Sequence, residues 1–282
     1  MERIQLDYLF QDRPWREDVA PADYDAFDVI SGGSHIYGQI MWPDGGYDGP
    51  RPCAVLFHGY PGTARNDDLA HTLRRIGCVV LTPHHRGAWG SQGEYRVSRC
   101  VEDAIVLAEY VHSPEFCEKF HVDPESIFLV GHSMGGNSVL NASRVLPWLR
   151  GIVLMTPFDP TRWIRQEQPE KLRELLTAGY NLAGYDPEAF YQDIMAHVGE
   201  YDFEQAFDAV KDQNLCCVGA DRDSIAPVPD MFLPLWRMLE QHPTDAIQRL
   251  VMLPGGHGLC SARVGLIQTV AQFIADVLDE GN

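Results

Sequence analysis

Residues of the types that nucleophilic catalysis needs stand in short, widely separated groups along this chain. The hexapeptide Gly131-His132-Ser133-Met134-Gly135-Gly136 follows the apolar run 127–130 and leads into a helical pattern. A serine on a sharp strand-to-helix turn is lifted clear of the sheet edge. Such a turn crowds the neighbouring backbone, so it needs small residues on both sides, and Gly131 and Gly135 supply them. The helix start also favours the negative charge that develops there. With 11 serines and 25 glycines in 282 residues, G-x-S-x-G arises by chance ~0.09 times (11 × (25/282)²), before strand and helix are required around it. The competing role for Ser133, a helix cap in a tight turn, is therefore the weaker one.

The other groups supply what a serine nucleophile lacks. In Pro254-Gly255-Gly256-His257-Gly258 a histidine is flanked by glycines that let its loop reach back toward Ser133. Imidazole titrates near neutrality unaided, which suits a general base. In Gly219-Ala220-Asp221-Arg222-Asp223 two carboxylates stand two residues apart. Either could hold His257 in one tautomer and stabilise its imidazolium, and spacing does not choose between them. Asp159, after the run 152–155, is a third and weaker candidate. An oxyanion is best held by backbone N–H groups whose orientation is set before reaction. Met134, just after the serine, should provide one. Tyr60 of His58-Gly59-Tyr60-Pro61-Gly62 should provide the other.

These groups need a scaffold. Apolar runs of four or five residues recur at 53–57, 78–82, 127–130, 152–155, 215–218 and 250–253, without the alternation of a half-exposed strand. Strands buried on both faces have this pattern. Helical stretches at 66–76, 99–112, 134–146, 229–241 and 261–278 lie between or after them. The alternation predicts a mainly parallel sheet with helices on both faces. Two partly alternating runs, 27–30 and 35–42, precede it, and residues 1–25 read as an N-terminal extension. Residues 26–158 and 210–282 are expected to form the core. Between them, 159–209 has only helical or irregular patterning and is expected to form a cap over the sheet's active edge. That insert holds eight aromatics, and the aromatic content of the whole chain makes this only a modest enrichment. Most should pack the insert onto the core. Trp163, Tyr180 and Tyr185 are the candidates to line a substrate pocket.

Composition removes other classes. The chain has 40 acidic residues against 22 Lys+Arg, a formal charge of −18, which repels nucleic-acid phosphates and acidic lipid surfaces. No apolar run approaches the ~20 residues of a membrane span. The first residues show no secretory pattern, and the seven cysteines are odd in number and scattered, so a reduced, cytoplasmic protein is expected. There is no H-E-x-x-H, no C-x-x-C and no glycine-rich nucleotide loop, so neither a metal nor a cofactor is expected.

The order Ser…Asp…His, each after a separate strand, is that of the α/β-hydrolases, and from about Phe27 onward the chain resembles that superfamily. The stretches 58–62, 85–93, 131–136, 223–227 and 256–257 resemble those of bacterial feruloyl or cinnamoyl-type esterases and of prolyl-oligopeptidase-related hydrolase domains. The resemblance implies the α/β-hydrolase fold with an inserted helical cap, and a serine esterase working through an acyl-enzyme. In these families the acid opens a D-x-(I/V)-x-P stretch, which maps to Asp223. The family's glycine three residues earlier is Ala220 here, with Gly219 one place before it, so Asp221 stays open as the alternative. The resemblance gives the Arg86–Gly93 loop a structural role rather than a place in the site. The expected partner is a small-molecule ester or a short peptide, with a homo-oligomer left open. An amide-cleaving aminopeptidase is the rival, because 159–209 carries 11 Asp+Glu against 4 Lys+Arg. A binding protein that kept the fold and lost turnover ranks third, since every triad position is filled.

Overall fold

Eight strands form one sheet in the order β1-β2-β4-β3-β5-β6-β7-β8. The computed structural model describes residues 3–279. β1 (Asp23–Ser31) and β2 (Ser34–Trp42) make an antiparallel hairpin. Its two turn residues, Gly32 and Gly33, both take positive φ, as a tight hairpin of this hand requires. β2 runs antiparallel to β4 (Val79–Pro83). From β4 the pairing is parallel through β3 (Arg51–Phe57), β5 (Val122–His132), β6 (Gly151–Met155), β7 (Leu215–Ala220) and β8 (Gln248–Leu253).

β3, β4, β6 and β7 are buried along their whole length. Helices cover both faces, which is why these strands read as continuous apolar runs. Val55, Phe57 and Leu129 face α2 (Val97–His112), α4 (Met134–Ser143) and α10 (Leu233–Glu240). Ala54, Leu56 and Val130 face α1 (Asp67–Ile76) and α11 (Arg263–Asp279). Adjacent strand residues thus serve opposite layers, the period-two rule of a strand.

Several boundaries differ from the sequence reading. β1 begins at Asp23 rather than within 27–30. α3 (Pro114–Phe120) was not anticipated; Ser113 caps it by accepting from the Phe116 N–H at 3.3 Å, with Pro114 at its first turn. The stretch 229–241 is two helices, α9 (Val228–Met231) and α10, joined at Phe232. Proline at 234 supplies no N–H to continue a helix from α9.

Between β6 and β7 lie α5 (Arg162–Arg165), α6 (Pro169–Leu176), α7 (Pro187–Ala196) and α8 (Phe207–Val210). The apolar side chains of α5, α6 and α7 build a third cluster with residues from beyond the strand ends, whereas Val210 of α8 joins the layer that holds α10. Trp163, Leu172, Leu176 and Phe190 meet Tyr95, Met134 and Phe158 there. No helix of the described residues is long and apolar enough to cross a membrane.

Candidate active site

Ser133 stands between the last residue of β5 and the first of α4, with φ +56 and ψ −120. A non-glycine residue holds such a conformation only when its surroundings impose it, and here the close packing of the turn does so. A side chain at 131 would put its Cβ 2.2 Å from the Gly135 carbonyl oxygen, and one at 135 would stand 2.5 Å from that of Phe57. The glycines flanking the serine are therefore a steric necessity, as the motif implied.

Three side chains from three strand ends meet at this turn. His257, in the loop after β8, places Nε2 2.8 Å from Ser133 Oγ. Its Nδ1 lies 2.8 Å from Asp223 Oδ2 in the loop after β7. The other oxygen of Asp223 accepts from the N–H groups of Ile225 and Ala226, each at 2.8 Å. Burial pushes the Asp223 carboxyl up, but the His257 hydrogen bond, its charge and the two backbone donors outweigh that and hold it below the ordinary carboxylate range. Asp221 is exposed and points away. It accepts from the Gly255 N–H at 2.8 Å and so ties the acid loop to the histidine loop. Asp159 is buried with Thr161 and Arg165, apart from this cluster.

The expected oxyanion donors border the same spot. Gly59 packs so closely on the turn that an added Cβ would stand 3.3 Å from Ser133 Oγ. Neither the Tyr60 N–H nor the Met134 N–H donates to a backbone carbonyl among the described residues. Tyr60 is anchored through its ring. It packs on Tyr95, Tyr185 and Phe190, and its hydroxyl donates to the Leu176 carbonyl at 2.7 Å. His58 braces the loop from below. Its Nδ1 donates to the Gly59 carbonyl at 2.8 Å, and its Nε2 accepts from the His85 N–H at 3.1 Å. Burial holds His58 well below the ordinary imidazole range, which keeps it neutral and lets one nitrogen accept.

A cavity of about 340 Å³ opens at Ser133. Its walls include Met134, Phe158, Leu175, Ala178 and Ile225, and no Asp, Glu, Lys or Arg lines it. Trp163, Tyr180 and Tyr185 are not among its walls, so the pocket expectation for these three fails. Trp163 is buried edge-on against Phe158. Tyr185 stacks beside Tyr60 and donates to the Leu176 carbonyl at 2.9 Å. Tyr180 is 88% exposed. Periodicity could not separate side chains that pack the insert from those that face the cavity. Arg86 has the structural role expected of its loop, with Nε 2.7 Å from the fully buried Asp103. Trp89 is half-exposed and donates to the Gly62 carbonyl at 2.7 Å. Three larger cavities, about 360, 410 and 430 Å³, lie against the N-terminal segment and contain none of the residues assembled at Ser133.

Sequence reasoning missed His58, His132 and Thr156. The first stands in a stretch singled out for its Tyr60 amide alone. His132 stands inside the serine hexapeptide but reads there only as a neighbour of Ser133, and Thr156 directly follows β6; both meet the His257 carbonyl, at 3.2 and 2.9 Å, a contact no local signal could show.

A sheet of this order, with a serine at the strand-to-helix turn near its middle and a histidine from the last strand's loop, defines a doubly wound α/β protein of the nucleophile-elbow type. Residues 54–269 match the alpha/beta hydrolase family, and the chain belongs to that family. It is 31% identical over 134 residues to the monoglyceride lipase of Mus musculus and 30% identical over 135 residues to that of Rattus norvegicus. Each match covers 46% of this chain and only 41% of the relative. Among solved structures, Est1E from Butyrivibrio proteoclasticus with ferulic acid bound superimposes with a TM-score of 0.67 at 17% identity, over 90% of this chain and 99% of that one. A dipeptidyl aminopeptidase IV-like protein from Bacteroides ovatus gives 0.67 at 16%, over 90% of this chain and 36% of that one. At such identities these structures share the fold.

Proposed function

We propose that this protein is a serine esterase that cleaves a neutral carboxylic ester through an acyl-enzyme. The observation that carries the reading is the unbroken hydrogen-bonded chain from Asp223 through His257 to Ser133 at the floor of an apolar cavity. Ser133 Oγ attacks the ester carbonyl carbon as its proton passes to His257 Nε2. The carbonyl oxygen becomes an oxyanion held by the N–H groups of Tyr60 and Met134. The tetrahedral intermediate collapses, the C–O bond to the alcohol breaks, and the leaving oxygen takes the proton from Nε2. Water then attacks the acyl carbon, giving its proton to the same nitrogen, and collapse returns the proton to Ser133 and frees the acid. Asp223 stays ionised throughout and stabilises the imidazolium.

Residues 159–209 act as the cap, with Leu175 and Ala178 forming part of the cavity roof. Walls of this composition suit an uncharged acyl group with apolar surface, since burying an unpaired charge there is costly. The names of the relatives, monoglyceride lipase and esterase, point the same way. The aminopeptidase reading needs a carboxylate to hold a free ammonium, and none lines the cavity.

Turnover of p-nitrophenyl esters and of aminoacyl-p-nitroanilides by wild type and Ser133→Ala tests the proposal. The expected result is ester cleavage that the substitution abolishes, with little or no anilide cleavage. Near-wild-type ester turnover by Ser133→Ala overturns it.

A further inference from the structure

His257 sits in a loop with glycines at 255, 256 and 258, and Gly255 has φ +140. Such a loop has little stiffness of its own. A proton relay through its imidazole nevertheless requires the ring to stay within hydrogen-bond reach of both Asp223 and Ser133. The Nδ1 contact to Asp223 persists through the cycle, but the Nε2 contact to Ser133 is broken and remade as protons move, so the ring contacts alone do not supply all of that restraint.

The backbone carbonyl of His257 has its own anchorage. It accepts from Thr156 Oγ1 at 2.9 Å and from His132 Nε2 at 3.2 Å. Thr156 follows β6 directly and His132 ends β5, so the loop is pinned to the two strand ends that frame the nucleophile. Thr156 is fully buried and has φ +40, a region that β-branched residues avoid. Its N–H donates to the Val218 carbonyl at 2.7 Å, and the Ser133 N–H donates to the neighbouring Met155 carbonyl at 2.9 Å. These bonds hold the strained residue in place, and an outlier sustained in this way points to function.

His132 is suited to the same task. It is almost wholly buried, and its Nδ1 has no partner among the described residues, so among them the one hydrogen bond its ring makes is that of Nε2 to the His257 carbonyl, beside the His257 ring at 5.2 Å. Burial, followed by the neighbouring His257, lowers it to about 4. A neutral ring carrying its proton on Nε2 can donate without placing a second positive charge beside the imidazolium that His257 becomes.

We infer that Thr156 and His132 are positioning residues, whose two hydrogen bonds to the His257 carbonyl hold the imidazole in line between Asp223 and Ser133. The inference rests on the esterase reading above. Neither residue touches the reacting atoms in this role; both act through His257.

The test pairs Thr156→Val, which removes the hydroxyl and keeps the branched shape, with Thr156→Ser, which keeps the hydroxyl. His132→Phe removes the second donor while keeping a planar ring. The readouts are kcat and KM for p-nitrophenyl butyrate and the strongly deshielded proton NMR resonance of the Asp223–His257 hydrogen bond. Thr156→Val and His132→Phe should each lower kcat about tenfold, the usual worth of one hydrogen bond, with KM changed less than about threefold. Each should broaden or remove the resonance, and Thr156→Ser should restore both. Should Thr156→Val fail to fold, His132→Phe and Thr156→Ser carry the test on their own. Wild-type kcat and an intact resonance in the folded Thr156→Val or His132→Phe protein overturn the inference, and so does a Thr156→Ser enzyme as impaired as Thr156→Val. A wild type that cleaves no ester would instead overturn the functional reading; there the resonance alone still reports on the clamp.

Discussion

In the proposed mechanism, Gly59→Ala separates the geometry of the oxyanion loop from the chemistry of the triad. The added methyl would stand 2.7 Å from Ser133 Cβ and 2.8 Å from the His132 carbonyl oxygen, where ordinary contacts begin at 3.4 Å. The backbone at Gly59 is not in the left-handed region, so the cost is one of contact alone. One neighbour is backbone and the other is the root of the nucleophile, so neither can swing aside. The loop must therefore retreat from the turn by about 0.7 Å, more than the ~0.5 Å within which a catalytic constellation is usually held. The Tyr60 N–H, the next amide along the chain, retreats with it. Loss of one oxyanion donor costs roughly 10²–10³ in kcat, and a partial retreat should cost about 10². KM should change less than about threefold, since the apolar walls remain. Overpacking of this kind destabilises by about 1–3 kcal/mol. Steady-state kinetics with p-nitrophenyl butyrate, alongside thermal unfolding, measures both. A folded Gly59→Ala enzyme with kcat within about threefold of wild type would refute the placement of the donor loop.

The two neighbouring carboxylates should behave differently. Asp223→Asn should lower kcat by about 10³–10⁴, as loss of the orienting acid does in other Ser-His-Asp sites. Asp221→Asn should keep kcat within about threefold and lose about 1 kcal/mol of stability as the Gly255 contact weakens; comparable losses in kcat would reverse the assignment. Stability should also fall on acidification through the buried histidines. His132 titrates at about 4 in the folded protein, and His58 is held well below the usual value, both chiefly by burial. An imidazole in the unfolded chain binds its proton near pH 6.5. The unfolded state therefore takes up more protons below that pH. The stabilising contribution is complete above about pH 6.5 and drains away as pH falls toward 4, at about 1.4 kcal/mol per pH unit for each such histidine. Urea unfolding at pH 7.5, 6.0 and 5.0 measures it, and a flat profile would contradict the buried neutral state.

Much of the fold was legible because its signals are local. Unbroken apolar runs of four or five residues such as 53–57 are too short for buried helices and read as strands covered on both faces, and the helical stretches between them leave few ways to connect those strands. Gly131 and Gly135 were legible for the same reason, since the turn at Ser133 forbids a Cβ there whatever surrounds it. Residues 159–209 were harder. Trp163, Tyr180 and Tyr185 have similar chemistry in the sequence, yet one is buried on Phe158, one stands in solvent and one braces Tyr60. Nothing local distinguishes them, because each is set by what the insert packs against.

The amino-acid sequence by itself determined the alternation of buried strands and helices, the nucleophile turn with its glycines, and the presence of a histidine and a carboxylate after later strands. These follow from backbone sterics and hydrophobic periodicity, which act over a few residues. Only the tertiary structure decided which of Asp221 and Asp223 meets His257, which side chains wall the cavity, and that Thr156 and His132 converge on one carbonyl. Those are contacts between residues 34, 101 or 125 positions apart. Strand register and helix packing bring them together, and a short stretch of sequence encodes neither.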